Sequence, residues 1–275
     1  MIDAPGPLRL WHLASLDAPT VAVVWALGLA WTAEIHLPLW MPVLVALGSW
    51  TVYIGDRLLD ARSGIRAEAL HDLRERHFFH WRHRRVLIPL AAASACAAAI
   101  IIFAFMPQAA RRLNFTLAAA ALAYFCGVHS PRPPLRLHFI SKECLVGLLF
   151  AAGCALPALS HWHMAGAAHS SLLPLALPIA FFACLAWLNC HAVERWESGG
   201  SSQTTVASTA LVAAGSFAAW LLASSYPRSA MLLLAAAASA LLLLLLDRLH
   251  ERLTPLALRA AADLVLLTPL FLFLP

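Results

Sequence analysis

The sequence predicts an all-α, polytopic membrane bundle of about nine transmembrane helices, and three observations carry that expectation. Of its 275 residues, 61% are hydrophobic and 12% are charged, where a soluble domain carries about 25% charged residues. The mean hydropathy is +0.76. The charges are bunched between long apolar runs rather than spread along the chain. A bilayer core offers no water to backbone N–H and C=O groups, so runs of this length must be helical. The strict polar–apolar alternation of a membrane barrel appears nowhere.

Nine apolar stretches, each near the 20 or so residues that a span needs, fall at 18–35, 37–55, 86–106, 113–129, 143–160, 172–190, 204–224, 229–246 and 254–274. Together they predict one transmembrane helical domain over residues 1–275. The longest connection, 56–85, is also the most charged. The N-terminal residues lack a basic segment followed by a short apolar stretch and a small-residue cleavage site, so the first apolar run reads as a retained helix. The 6 cysteines are dispersed, with no CxxC pair to suggest a disulfide framework or a thiolate metal site.

Lysine and arginine set the expected orientation. With nine spans and a cytoplasmic N-terminus, all 19 basic residues except Arg111, Arg112 and Arg228 fall on the inner side. The C-terminus is then on the opposite face, and in a prokaryote the expected location is the inner membrane. The net charge of +5 follows from this topology and from membrane lipids as partners, so no nucleic acid is expected.

Two helix ends carry acidic clusters. The second apolar stretch runs into Asp56, Arg57, Asp60, Arg62 and Gly64. Residues four apart share a helical face, so Asp56 and Asp60 form a carboxylate pair that repels unless a cation lies between them. Mg²⁺ takes oxygen ligands and joins carboxylates to substrate phosphates. The plain alternative is a solvated helix end neutralised by Arg57 and Arg62. The sixth stretch ends in Asn189, His191, Glu194 and Glu197, the last three recurring every three residues. Two such clusters suit metal ions held around one diphosphate, whereas ordinary polar helix ends would give the same composition.

These motifs resemble those of the UbiA-type intramembrane prenyltransferases. The resemblance implies nine transmembrane helices and acid-rich motifs following helices two and six. Asp56 stands where that family's first motif, NDxxDxxxD, has its leading Asn, Asp60 stands at the central Asp, and Gly64 at the last Asp. Glu194 and Glu197 stand in the second motif, and the stretch from Ile140 through Glu143 to Gly153 is similar to the start of the fifth helix. Arg57 and Gly64 replace acids of the first motif, glutamates replace aspartates in the second, and Ser198 occupies its last acidic position.

The resemblance implies an enzyme that uses Mg²⁺ to transfer an isoprenoid chain from an allylic diphosphate to an unknown lipophilic acceptor in the membrane, or to cyclise that chain. Metal would be held by Asp56, Asp60, Glu194 and Glu197. Arg62, Arg74, Arg76 and Lys142 would bind the diphosphate, helped by Asn189 and His191, with Arg132 and Arg136 as further candidates. Trp50, Tyr53, Phe125 and Trp187 are the aromatic faces available to a carbocation. The alternative expectation is a non-catalytic lipid-binding or assembly protein with the same fold.

Two further features stand out. Between Arg74 and Arg85 the chain carries His77, His80 and His83 at three-residue spacing among Phe78, Phe79, Trp81, Arg82 and Arg84. Three readings are open: a metal site, an arginine clasp for diphosphate, or an interfacial segment meeting anionic headgroups. Spacing of three drifts by about 60° per step around a helix, which suits a single ion poorly. In the ninth stretch Asp263 is expected near the bilayer midplane, with Arg259 four residues earlier as its nearest partner. It is either one half of a structural pair or a catalytic group on a cavity wall.

Overall fold

The structure is a computed structural model and describes residues 6–66, 73–129, 141–164, 172–198 and 202–274. Helices α1 (Pro7–Leu13), α2 (Asp17–Thr32), α3 (Trp40–Arg66), α4 (Glu75–Arg82), α5 (Arg84–Phe105) and α6 (Gln108–His129) are followed by α7 (Lys142–Met164), α8 (Leu173–Ser198), α9 (Ser202–Leu222), α10 (Pro227–Leu249) and α11 (Pro255–Leu264). A 3₁₀ segment, Val265–Phe273, continues α11. No strand occurs among the described residues.

The chain is an integral, multi-pass helical membrane protein. Among the described residues, six helices are long and apolar enough to cross a bilayer: α5, α7, α8, α9, α10, and α11 with its 3₁₀ continuation. A seventh span is formed if α1 and α2, which meet at a bend of 87°, count as one. Helices α3 and α6 also run through expected apolar stretches and are not among these six; charges lie at one end of each stretch, Asp56, Arg57 and Asp60 in α3 and Arg111 and Arg112 in α6. Large apolar side chains point outward, among them Ile100, Phe103 and Leu122, as lipid-facing surfaces require.

The chain divides into two compact units, Met1–Thr20 with Val43–Arg136, and Val21–Pro42 with Leu137–Pro275. In the first, α3 is fixed to its neighbours by hydrogen bonds. Ser94 of α5 donates to the Leu47 carbonyl at 3.1 Å and accepts from Thr51 at 3.0 Å. Trp50 donates its indole N–H to the Ala14 carbonyl at 3.0 Å.

The second unit holds the larger core. Trp25 stacks on Phe182 at 3.8 Å and donates to the Leu266 carbonyl at 2.9 Å. The fully buried side chains of this unit also include Leu29, Leu185, Leu188, Leu232, Leu233 and Leu243. Helices α7 and α8 come unusually close at Gly147, where a Cβ would lie 2.7 Å from the Trp187 backbone nitrogen. Glycine permits that approach, as small residues do between membrane helices.

The last span changes helix type for a local reason. Pro269 has no N–H to offer the Val265 carbonyl four residues earlier. Ser239 of α10 donates to that carbonyl at 2.7 Å, and the Thr268 hydroxyl in turn donates to the Ala235 carbonyl at 2.6 Å. The backbone group freed by proline is thus satisfied from the neighbouring helix, the condition under which proline is tolerated in a span.

Candidate functional site

In the first unit the polar side chains converge on the turn between α1 and α2. His12, Ser15, Asp17, Arg57, His77 and His80 are all buried. Asp17 Oδ2 lies 2.7 Å from His12 Nδ1 and 3.5 Å from Arg57 Nη2, while its other oxygen accepts from the Ala18 amide at 2.9 Å. Arg57 also donates to the His12 carbonyl at 3.2 Å and to the Ser15 hydroxyl. The residue type explains the arrangement. A guanidinium has five donors in a fixed fork and cannot lose its charge, so burying it requires several acceptors at once. The α1–α2 turn supplies three.

Helix α4 docks on the same cluster through two of its histidines. His80 Nε2 is 3.0 Å from Ser15 Oγ, and its Nδ1 is 2.7 Å from the Arg76 carbonyl. A ring whose Nδ1 donates to a carbonyl presents Nε2 as an acceptor, here for the serine hydroxyl. His77 Nδ1 accepts the Arg74 amide N–H at 3.0 Å, and its Nε2 faces Asp60 at 3.9 Å. Burial pushes both imidazoles down to about 4, reinforced at His77 by Arg76 and at His80 by Arg57. Both rings are therefore neutral at pH 7. His83 points the other way, exposed, with Nδ1 2.8 Å from the Phe79 carbonyl. The histidine triplet does not act as one stripe, as its angular drift anticipates.

The acids of α3 divide accordingly. Arg57, one of the two arginines inside the motif, turns to the α1–α2 turn. Asp56 and Asp60 stay half-buried one helical turn apart. Arg62 and Arg74 are exposed and Arg76 is half-buried. Of the aromatic candidates, Tyr53 lies under the Arg57 guanidinium at 5.7 Å. Trp50 is engaged through its indole N–H with the Ala14 carbonyl. The side chain of Phe125 and residues Arg132 and Arg136 lie outside the described residues.

In the second unit, Asn189 donates to Asp263 Oδ1 at 3.2 Å. Asn189 is buried, and among the described residues its side-chain oxygen has no hydrogen-bond partner. Arg259, expected as the nearest partner of Asp263, donates to Glu197. The α8–α11 contact thus pairs Asn189 with Asp263 and Glu197 with Arg259, about 12 Å apart along α8 at 1.5 Å per residue. His191 stacks on Trp187, ring centres 5.4 Å apart, and Lys142 is exposed at the start of α7.

Glu194 of α8 faces Glu143 in the first turn of α7. Glu143 was not expected as a site residue; nothing in sequence places the first turn of α7 beside the last turn of α8. His12, Ser15 and Asp17 were missed for the same reason. The available signal was an uncompensated Asp17 at the mouth of an apolar run, which requires a buried partner.

No family model, curated protein or solved structure matches this chain. Its chemistry is carried by the donor sets themselves. Carboxylate oxygens from Asp56 and Asp60, and from Glu143 and Glu194, are hard ligands of the kind Mg²⁺ takes, and the arginines nearby suit phosphate oxygens.

Proposed function

We propose that this protein is a nine-span intramembrane enzyme of the UbiA type, with α3 and α6 completing the count and a cytoplasmic N-terminus. It ionises an allylic diphosphate and passes the isoprenoid chain to a lipophilic acceptor, or cyclises the chain. The observation that carries this reading is the behaviour of Arg57. Arg57, which adjoins Asp56 in the α3 acidic motif, is committed to Asp17, while Asp56 and Asp60 lie one turn apart and half-buried. Of the two arginines that would neutralise a solvated helix end, Arg57 is thus turned to the α1–α2 turn.

Asp56 and Asp60 are the metal-holding pair of α3 in this reading, and Glu194, with Glu197, that of α8. Bound Mg²⁺ supplies neutralisation of the diphosphate charge. Arg62, Arg74, Arg76 and Lys142 donate to phosphate oxygens, while Asn189 and His191 assist. The allylic C–O bond breaks with its electron pair leaving on diphosphate, and the acceptor adds to the cation and loses a proton. Asp263 is the candidate base, oriented by the Asn189 amide at 3.2 Å.

A second reading is favoured by Glu197, whose ion pair with Arg259 makes it a structural group. On that reading the protein binds diphosphate lipids, or assists assembly, without turnover.

The deciding experiment is pyrophosphate release by the purified protein in nanodiscs, with Mg²⁺ and allylic diphosphates of several chain lengths. An EDTA control and an Asp60→Ala variant run beside it. Release that needs both Mg²⁺ and Asp60 establishes ionisation. Mg²⁺-dependent binding without release selects the second reading. Absence of both binding and release removes the diphosphate chemistry altogether.

A further inference from the structure

We propose that the outer face of α4, continued by the first turn of α5, is a docking surface for anionic phospholipid headgroups. Helix α4 is amphipathic in an unusual sense. Its inner face is made of imidazoles, with His77 and His80 buried against Asp60 and Ser15. Phe78 and Arg82, four residues apart and so on one face, point away from that contact and are exposed.

Position along the chain places this face at the bilayer boundary. A single residue, His83, separates α4 from α5, and α5 is a membrane span. Val86 and Ile88, in the first turns of α5, are 58% and 54% exposed, so α5 meets lipid from its start. Helix α4 therefore lies about one turn, roughly 5 Å, from the hydrocarbon edge. There an exposed phenylalanine and arginines are favoured together, the ring at the boundary and the guanidinium groups among the headgroups.

Charge identifies the headgroup. Arg74, Arg82 and Arg85 are exposed. Arg84 is held over the Trp81 ring at 4.5 Å and donates to the Trp81 carbonyl at 2.7 Å. The acid of α4, Glu75, is ion-paired with Arg9, so it does not offset these cations. Both histidines that enter the fold are neutral, and the cations that this face exposes are arginines. A zwitterionic headgroup brings its own cation to such a surface, whereas phosphatidylglycerol or cardiolipin does not.

The test is competitive lipid retention. Full-length protein is equilibrated in mixed micelles of phosphatidylglycerol and phosphatidylcholine, and the lipids it keeps are counted by native mass spectrometry. Wild type should prefer phosphatidylglycerol, less so at high salt. Arg82→Gln with Arg85→Gln should weaken the preference about fivefold per arginine removed, while Arg82→Lys with Arg85→Lys should keep most of it. Far-UV circular dichroism checks that both variants remain helical. Equal retention of the two lipids by wild type, or an unchanged preference in the glutamine variant, overturns the proposal. So does displacement of the retained lipid by micromolar inorganic pyrophosphate, which would make this face a diphosphate site.

Discussion

His80 Nε2 lies 3.0 Å from the hydroxyl of Ser15, across 65 residues of chain and with both side chains wholly buried. Ser15 adopts a left-handed backbone, φ 57°, and its oxygen also accepts from Arg57. One small hydroxyl in a strained turn thus joins α1, α3 and α4. Removing it strands a guanidinium donor and an imidazole nitrogen. Ser15→Ala should cost about 1–3 kcal/mol of stability, and Ser15→Gly less, because glycine adopts φ > 0 without a Cβ penalty. Unfolding midpoints in SDS-mixed micelles give the order directly; alanine and glycine variants of equal stability would argue against strain at this turn.

The α4 histidines predict a pH dependence with a definite sign. Their ordinary value is 6.5, and burial, helped by the nearby arginines, lowers both to about 4. Between those values the unfolded chain binds more protons than the folded one, so stability falls with falling pH. The contribution is complete above pH 6.5 and is lost as pH drops towards 4. Unfolding followed at pH 7.5, 6 and 4.5 should show that loss, and His77→Asn with His80→Asn should flatten it. A double variant as acid-sensitive as wild type would place the effect elsewhere.

Asp17 is the counter-charge of a buried guanidinium, 3.5 Å away. Breaking a buried pair leaves one charge uncompensated, which costs about 3–5 kcal/mol. Asp17→Asn should therefore destabilise far more than Arg62→Gln at the exposed end of α3, a surface change expected to stay within about 0.5 kcal/mol. Arg57→Lys should not rescue function or stability, since an ammonium cannot span the His12 carbonyl, Ser15 and Asp17 at once. Denaturant midpoints of the three variants, compared at one pH, decide this.

Two glycines offer a paired test of helix packing. A Cβ at Gly147 would meet the Trp187 backbone at 2.7 Å, whereas at Gly48 nothing lies within 4 Å. Gly147→Ala should force α7 and α8 apart at a cost of about 1–3 kcal/mol. Gly48→Ala should be neutral or stabilise by up to about 1 kcal/mol through the unfolded chain. If both substitutions shifted the unfolding midpoint equally, the close α7–α8 approach would not exist.

Much of the bundle was legible because its cause is local. A run such as 229–246, almost all Ala and Leu, can only be a helix in lipid, and α10 is one. The α3 acids were visible as a pair because a spacing of four maps directly onto one helical face. Nearest-neighbour reasoning about charge did not reach across helices. It offered Arg57 with Arg62 as one way to neutralise the motif and Arg259 as the nearest partner of Asp263, and did not anticipate that Arg57 meets Asp17 and Arg259 meets Glu197. An arginine has a long, flexible reach, so its partner depends on which helix packs beside it.

The sequence by itself determined that this is a helical, multi-pass membrane protein, because the water-free bilayer leaves the backbone no other way to satisfy its hydrogen bonds. It also determined where the acids and arginines concentrate, at the ends of the apolar runs. Only tertiary structure decided which of them are paired. Periodicity reports the face a residue occupies on its own helix, never the helix that meets that face. The joining of Glu143 to Glu194, of Asn189 to Asp263, and of Ser15 to His80 comes from packing between segments far apart in the chain, where burial makes each polar group find a partner.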